Sequence, residues 1–334
     1  MNKDFQVFKT LIKQLKASPK KIVFTEGTDE RILEAASRLL ASTFLTPVLV
    51  GNPKEVYAAA EEAGYNIRGA KIVDPADYDR MDEMIDMFLD LRKGKGLTRD
   101  DARKMLAKSN YFGTMMVKMG YADCLLGGAT YTTADTVRPA LQLVKTKPGA
   151  SSVTSCFILV RPTATGSDEV LAMGDCAINI KPDVNTIVET AVETAKCSRG
   201  FGVDPRVAFL SYSTSGSAKG DSVYKMRKAA AITKEKEPEL PIEGEVQFDA
   251  AVSPAVSAVK SPASTLKGTA NVFIFPDINS GNISYKIAQR FGNFQAYGPI
   301  LLGLNAPIND LSRGCNAEEV YYMSIITASQ ALDQ

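Results

Sequence analysis

The stretch Asn309-Asp310-Leu311-Ser312-Arg313-Gly314-Cys315-Asn316-Ala317-Glu318-Glu319 gathers carboxylates, a hydroxyl, a guanidinium and a thiol within a few positions. An apolar run, Gly298 to Leu304, precedes it, and a helical pattern from Val320 to Leu332 follows. This reads as a strand–loop–helix connection, the place where α/β proteins carry their chemistry. Part of the stretch has a purely structural reading. Asn316 with Glu319 three positions on is a helix-capping pattern. Cys315 reads as packed rather than nucleophilic, because no histidine base exists to activate it. Arg313 beside Ser312, just ahead of a helix, is the feature that stability explains least.

Other loops carry polar groups at similar points. Ser213-Thr214-Ser215-Gly216-Ser217-Ala218-Lys219-Gly220 follows a strand pattern and opens a helix, so its backbone N–H groups suit an anion cradle. A Ser/Gly surface loop accounts for it equally well. Arg138 follows the hydroxyl-rich Thr132-Thr133-Ala134-Asp135-Thr136 segment, where a guanidinium can grip a phosphate bidentately or stand on a capped helix. Arg92 and the glycine-flanked Lys95 follow a helix end, where positive charge complements the helix dipole. Pro276-Asp277-Ile278-Asn279-Ser280-Gly281-Asn282 reads as a loop between strand and helix, equally suited to turn formation and to binding a polar ligand. Neither a G-x-x-x-x-G-K-[ST] nor a G-x-G-x-x-G pattern is present, which disfavours P-loop and Rossmann nucleotide sites.

Composition narrows the chemistry. The 334 residues contain no histidine, which excludes Ser-His-Asp and Cys-His hydrolase arrangements and the usual mixed zinc sites. Side-chain proton transfer then falls to Asp, Glu, Lys, Tyr or Cys. Nothing in the sequence asks for a metal. Lys+Arg 39 against Asp+Glu 38 advertises no nucleic-acid or membrane partner, while small anions need only a local cluster. The scattered Cys124, Cys156, Cys176, Cys197 and Cys315 form an odd set without a C-x-x-C pair, as expected of reduced thiols in the cytoplasm. No apolar run reaches transmembrane length, and Met1-Asn2-Lys3-Asp4-Phe5 lacks an apolar signal core.

The elements that must position these loops alternate at βαβ spacing. Strands are expected at Lys21–Thr25, Pro47–Val50, Lys71–Val73 and Asp123–Leu126, with helices between them, the region from Tyr78 to Tyr121 being helical apart from a break at Gly94-Lys95-Gly96. The Gly/Pro-marked Lys145–Ser152 segment is the first candidate domain boundary. Beyond it, Val153–Arg161 and Val170–Ile180 predict strands with an antiparallel edge. Strands at Val207–Tyr212, Val272–Phe275 and Ile300–Leu302 and helices at Val184–Cys197, Asp221–Lys236 and Ile283–Phe291 follow, with Pro238–Glu243 as a surface turn. The terminal helix, 318–332, suits either domain.

Together, Thr25-Glu26-Gly27-Thr28-Asp29-Glu30-Arg31, Thr133-Ala134-Asp135-Thr136-Val137-Arg138-Pro139, Ser213 to Gly220, Pro276 to Asn282 and Asn309 to Cys315 resemble the phosphate acetyltransferase (phosphotransacetylase) family over essentially the whole chain. The resemblance implies two α/β domains with a cleft between them, isocitrate/isopropylmalate dehydrogenase-like. Residues 1–146 with 304–334, including the C-terminal helix, would form the first domain and 147–303 the second. It implies reversible acetyl transfer between acetyl-CoA and phosphate, giving acetyl phosphate and coenzyme A. The thiolate would attack directly in a ternary complex in a cytoplasmic homodimer, with no permanently bound cofactor and no metal. Ser312, Arg313 and Glu319 match the catalytic positions, with Ser312 donating to the developing carbonyl charge. Arg92, Arg138, Arg313 and Thr133 fall on the phosphate side. Ser213, Thr214, Ser215, Gly216, Asn279, Gly281, Asn282 and Lys286 fall on the coenzyme A side. Glu319 stands where family members carry an aspartate base; Asp310 is the other nearby carboxylate. An acetyl-cysteine route through Cys176 or Cys315 is the minor mechanism. The alternatives in function are a phosphate butyryltransferase, an NAD(P)-dependent decarboxylating dehydrogenase, for which the metal-binding aspartates are not assembled, and a non-enzymatic binding module.

Overall fold

The computed structural model describes residues 5–332; the N-terminal Met1–Asp4, part of the segment read above for a signal core, and the last two positions of the 304–334 segment lie outside them. The helices in chain order are α1 (Gln6–Ala17), α2 (Glu30–Ser42), α3 (Pro53–Ala63), α4 (Met81–Leu91), α5 (Arg99–Leu106), α6 (Ser109–Lys118) and α7 (Thr133–Pro139). They continue as α8 (Val184–Gly200), α9 (Asp221–Lys236), α10 (Phe248–Val252), α11 (Pro254–Lys260), α12 (Ile278–Phe291) and α13 (Ala317–Ser329). The chain divides into two compact units. One holds residues 8–148 and 304–332, the other chiefly 149–303.

The first unit is built on a sheet of β1 (Lys20–Phe24), β2 (Leu45–Val50), β3 (Lys71–Val73), β4 (Cys124–Gly127) and β11 (Ile308–Asp310), in the order β11-β4-β1-β2-β3. Every pairing is parallel. Parallel strands are covered on both faces, which is why Ile22, Val23 and Phe24 read as an uninterrupted apolar run and are fully buried. Asp29 caps α2 by accepting the Arg31 N–H, and Ile32, Leu33, Ala35, Ala36 and Leu39 form its inner face. The capping box of Asn316 and Glu319 starts α13, which packs against α2, β1 and β4 with Val320, Met323, Ile325 and Ile326 buried.

The strand that feeds the Ser312-Arg313 loop is not the apolar run expected to do so. Gly298–Leu302 lies in β10 of the other unit, whereas β11 (Ile308–Asp310) carries Asn309 and Asp310 inside the strand itself, both buried. The Asn309 amide donates to Thr327 Oγ1 at 2.9 Å and to Gln330 Oε1 at 2.7 Å on the α13 side, so a polar residue is accommodated in this buried edge strand.

The second unit is a mixed sheet of β5 (Thr154–Pro162), β6 (Asp168–Gly174), β7 (Val207–Leu210), β8 (Ile242–Val246), β9 (Val272–Ile274) and β10 (Gln295–Leu302), in the order β10-β5-β6-β9-β7-β8. The β10–β5 and β5–β6 pairs are antiparallel, and the rest are parallel. Four expectations shift here. β6 ends at Gly174 rather than Ile180, because the Asp175 carboxylate turns the chain by accepting the N–H groups of Ala177, Ile178 and Asn179. The Pro238–Glu243 turn gives way at Ile242 to β8. β10 begins five positions ahead of Ile300, at Gln295. α12 starts at Ile278 instead of Ile283, since Asp277 accepts the Ser280 N–H and draws Asn279 to Asn282 into the first helical turns. In the first unit the helical stretch 78–121 is also broken into α4, α5 and α6.

Candidate active site

In the first unit β1, β4 and β11 are neighbours, and their carboxyl ends deliver three segments to one edge of the sheet. Thr25 and Glu26 leave β1, Gly128 to Tyr131 leave β4, and Leu311 to Arg313 leave β11. The Leu311 N–H donates to the Gly127 carbonyl at 2.7 Å, carrying the β11–β4 ladder one residue past the strand end. Ser312 and Arg313 then emerge exposed, while Cys315 turns back into the protein. The Gly314 N–H donates to Ser312 Oγ at 3.2 Å, and Glu319 Oε2 accepts the Asn316 N–H at 3.1 Å.

Arg31 fastens these segments together. Its guanidinium donates to the carbonyls of Arg313 at 2.9 Å, Cys315 at 3.1 Å and Ala129 at 2.9 Å, and it forms an ion pair with Asp29 at 2.7 Å. The motif containing Arg31 is visible in the sequence, but its job is not. Only the fold shows that three carbonyls from two distant loops converge on it.

Beside Arg31 lies a cluster of carboxylates and hydroxyls. Glu26 accepts from Thr25 Oγ1 at 2.7 Å and from the N–H groups of Gly128 and Thr130 at 2.9 and 3.2 Å. Thr25 Oγ1 meets the Tyr131 hydroxyl at 2.8 Å. Asp310 accepts from Thr133 Oγ1 at 2.6 Å and Thr136 Oγ1 at 2.5 Å. Gly128 has φ +102°, and a Cβ there would collide with Asp310 Oδ1, so the tight turn after β4 requires glycine. Thr133, a candidate phosphate ligand, is therefore already bonded to Asp310. Arg138 stands exposed in the last turn of α7. Arg92 ends α4 half-buried, with its Nε enclosed and unpartnered. Both arginines act electrostatically on the Tyr111 phenol, so both lie in its neighbourhood.

The second unit holds the remaining candidates in two places. In the β7–α9 loop, Ser213 Oγ donates to Glu245 Oε1 at 3.0 Å and the Gly216 N–H donates to the same oxygen at 2.8 Å. Arg227 Nε donates to Glu245 Oε2 at 2.7 Å. Thr214 Oγ1 pairs with Gln247 Oε1 at 3.2 Å, and Ser215 is exposed. The loop is thus anchored from within by a buried carboxylate, and those of its donors that a cradle would use at Ser213 and Gly216 point at Glu245. In α12, Gly281 lets the helix approach Asp175 and Cys176, where a Cβ would come within 2.5 Å of the Asp175 carbonyl. Asn282 donates to the Cys176 carbonyl at 3.0 Å and accepts from Lys286 Nζ at 2.8 Å; Asn279 is exposed.

The sequence model of the phosphate acetyl/butaryl transferase family matches residues 6–328. The chain belongs to this family. It is 51% identical to the phosphate acetyltransferase of Bacillus subtilis (strain 168) over 98% of this chain and 99% of that one. Among solved structures it is similar to a phosphotransacetylase from Streptococcus pyogenes, with 47% identity, a TM-score of 0.93 and 98% of each chain covered. It is likewise similar to the EutD phosphotransacetylase from Staphylococcus aureus, with 45% identity, a TM-score of 0.88 and coverage of 97% of this chain and 99% of that one.

The electrostatics of this acyltransferase-family site follow from burial. Removal from water raises Asp310 to about 6 despite the two hydroxyls that stabilise its anion, with Glu26 and Asp135 adding repulsion. Burial also raises Glu26, against the hydrogen bonds from Thr25, Gly128 and Thr130. The Tyr131 phenol is pushed up for the same reason and stays protonated. Burial drives the Cys315 thiol up to about 11 even with Arg31 nearby, and Cys176 rises well above an ordinary thiol. At Glu245 burial acts in the same direction, but Arg227 and the Gly216 and Ser213 donors outweigh it and hold the carboxylate at about 2. Among the described residues no group of three or more His, Cys, Asp or Glu side chains is placed to hold a metal ion.

Proposed function

We propose that the chain is a phosphate acetyltransferase, moving acetyl reversibly between coenzyme A and phosphate. The observation that carries this reading is the exposed Ser312-Arg313 pair, held by Arg31 at the carboxyl edge of a parallel sheet, in a chain 51% identical to a protein named for that activity. Arg313, Arg138 and Arg92 bind the phosphoryl oxygens, and the enclosed, unpartnered Nε of Arg92 supports its share. Ser312 Oγ already accepts the Gly314 N–H, so its own proton is directed outward to the carbonyl oxygen that gains charge in the transition state. Glu319 serves as the base for the thiol of coenzyme A. Its carboxylate is oriented by the Asn316 N–H, so cap and base are compatible uses of one side chain. Thr133 acts on the phosphate side through the α7 N-terminus.

The coenzyme A side comprises Ser213, Thr214, Ser215 and Gly216, with Asn279, Gly281, Asn282 and Lys286. With Ser213 and Gly216 engaged by Glu245, the exposed Ser215, Asn279 and Lys286 are the groups that meet the cofactor-like substrate, and the others shape their segments. Direct thiolate attack is favoured over an acetyl-cysteine, because burial keeps the Cys315 and Cys176 thiols protonated at neutral pH.

We take the fold to be isocitrate/isopropylmalate dehydrogenase-like, with a first domain of 1–146 and 304–334 and a second of 147–303. The separation of compact units after residues 148 and 303 supports that partition. A cytoplasmic homodimer completes the reading. The apolar stripe Ile283, Ile287 and Phe291 on α12 is 57%, 52% and 85% exposed, which suits burial against a second copy. Among the described residues no helix is long and apolar enough to cross a membrane.

The test is formation of acetyl-CoA from acetyl phosphate and coenzyme A by the wild type, Ser312→Ala, Arg313→Gln and Glu319→Gln. Loss of a positioned transition-state donor at Ser312 lowers kcat by about 100-fold. Undiminished turnover in Arg313→Gln removes the phosphate clamp, and undiminished turnover in Glu319→Gln removes the base. A series of acetyl, propionyl and butyryl phosphates separates an acetyl-selective pocket from a butyryltransferase.

A further inference from the structure

Asp310 is an unusual residue for the strand that leads into a reactive loop. It is 1% exposed, and the bonds it accepts come from two hydroxyls, Thr133 Oγ1 on one oxygen and Thr136 Oγ1 on the other. Those threonines belong to α7, the helix that carries Arg138. Two residues after Asp310 the chain presents Ser312 and then Arg313. We propose that Asp310 is a positioning residue for anion binding: its ionised carboxylate clamps α7 to β11 and so fixes the Arg138 arm relative to the Ser312-Arg313 arm. This rests on the function proposed above, and it concerns only residues of the first unit.

The clamp depends on charge state. Ionised, Asp310 accepts from both threonines at once. Protonated, it must donate through one oxygen, and the hydroxyl it meets there reverses its role. The surroundings favour that protonation. From the β1–α2 segment Glu26 faces it, from the β4–α7 loop Tyr131, and from α7 Asp135, all acidic. The β4 side offers the backbone of Gly128, and α13 meets the strand through Asn309, Thr327 and Gln330, none of which titrates. Thr136 also bonds to Tyr131, which reaches Thr25 and then Glu26, so a proton on Asp310 reorders a chain of hydroxyls ending at a second buried carboxylate. A side chain that served only to fill the strand would need no charge; Asn has the same shape.

The experiment is calorimetric titration of the full-length wild type, Asp310→Asn and Thr136→Val with inorganic phosphate from about pH 5 to about pH 8, alongside the KM for each substrate. The wild type loses about tenfold in phosphate affinity on the acid side beyond whatever Asp310→Asn loses, because the titration of phosphate itself is common to both. At neutral pH Asp310→Asn binds phosphate more weakly and raises the KM for acetyl phosphate, while the KM for coenzyme A stays within about twofold. Thr136→Val keeps the carboxylate with one donor fewer, so its acid limb moves to higher pH. Affinity profiles of the same shape in wild type and Asp310→Asn overturn the proposal. If Asp310→Asn does not fold, an unmoved limb in Thr136→Val overturns it. Phosphate binding needs no turnover, so an inactive wild type that still shows these shifts would count against the transfer reaction and leave the clamp standing.

Discussion

Asp310 also carries a consequence for stability. Its carboxyl is raised from 3.8 to about 6 by burial, so the folded protein holds a proton that the unfolded chain has released between those values. Stability therefore falls as pH rises through that window and stays lowered above it, by on the order of 2–3 kcal/mol if the whole shift is expressed. Asp310→Asn is expected to unfold at a higher temperature than the wild type near pH 7, with the gain vanishing below about pH 4; a thermal denaturation series across pH measures it. Glu245 has the opposite sign. Held at about 2, it contributes stability above the unfolded glutamate range near about 4.3, and that contribution is lost as pH falls towards about 2. Glu245→Gln should then be destabilised at neutral pH and converge on the wild type in acid. Cys315 supplies a third residue-level test. With its thiol pushed up to about 11 by burial, Cys315→Ala should retain turnover within about threefold, and trapping with radiolabelled acetyl phosphate should give no acetyl-protein.

At the scale of elements, substitutions at the start of α13 separate its cap from the base proposed at Glu319. Asn316→Ala removes the side chain that receives the Glu319 N–H at 2.9 Å but leaves the Glu319 carboxylate in place. It is expected to cost about 1 kcal/mol in urea denaturation while keeping most of the rate, whereas Glu319→Gln is expected to lower the rate with little change in stability. The same elements show what a sequence reveals. β1, β2 and β4 are legible because parallel strands covered on both faces are apolar throughout. α2 is legible from Asp29 and its inner stripe. β11 is not, because two of its three residues are polar and are accommodated by partners, Thr133, Thr136, Thr327 and Gln330, that only the tertiary structure supplies. The first turn of α12 hides for a related reason. Asn279, Ser280 and Gly281 are poor helix formers, and the Asp277 cap together with the close packing of Gly281 on Asp175 overrides their preference. Ser312 and Arg313 are legible as chemistry, whereas Arg31, which ties their loop to the β4 exit, is legible only as part of a motif.

For the whole molecule, the exposed stripe on α12 predicts association. Phe291→Asp, at a position 85% exposed and therefore tolerant in an isolated chain, is expected to shift sedimentation from dimer to monomer at micromolar concentration. An unchanged sedimentation coefficient would place any self-association elsewhere.

The strand order β11-β4-β1-β2-β3 has a consequence for biosynthesis. Strands β1 to β4 leave the ribosome well before β11, which is separated from them by the entire second unit. Until β11 arrives, β4 presents an open edge, and the face of α2 that α13 covers is bare. The nascent chain thus carries a sticky half-sheet through most of its translation, a period when chaperone protection matters. Because the same late segment brings Ser312 and Arg313, a truncated chain lacks the proposed catalytic pair altogether, and the loop is completed only when the last strand of its sheet has paired.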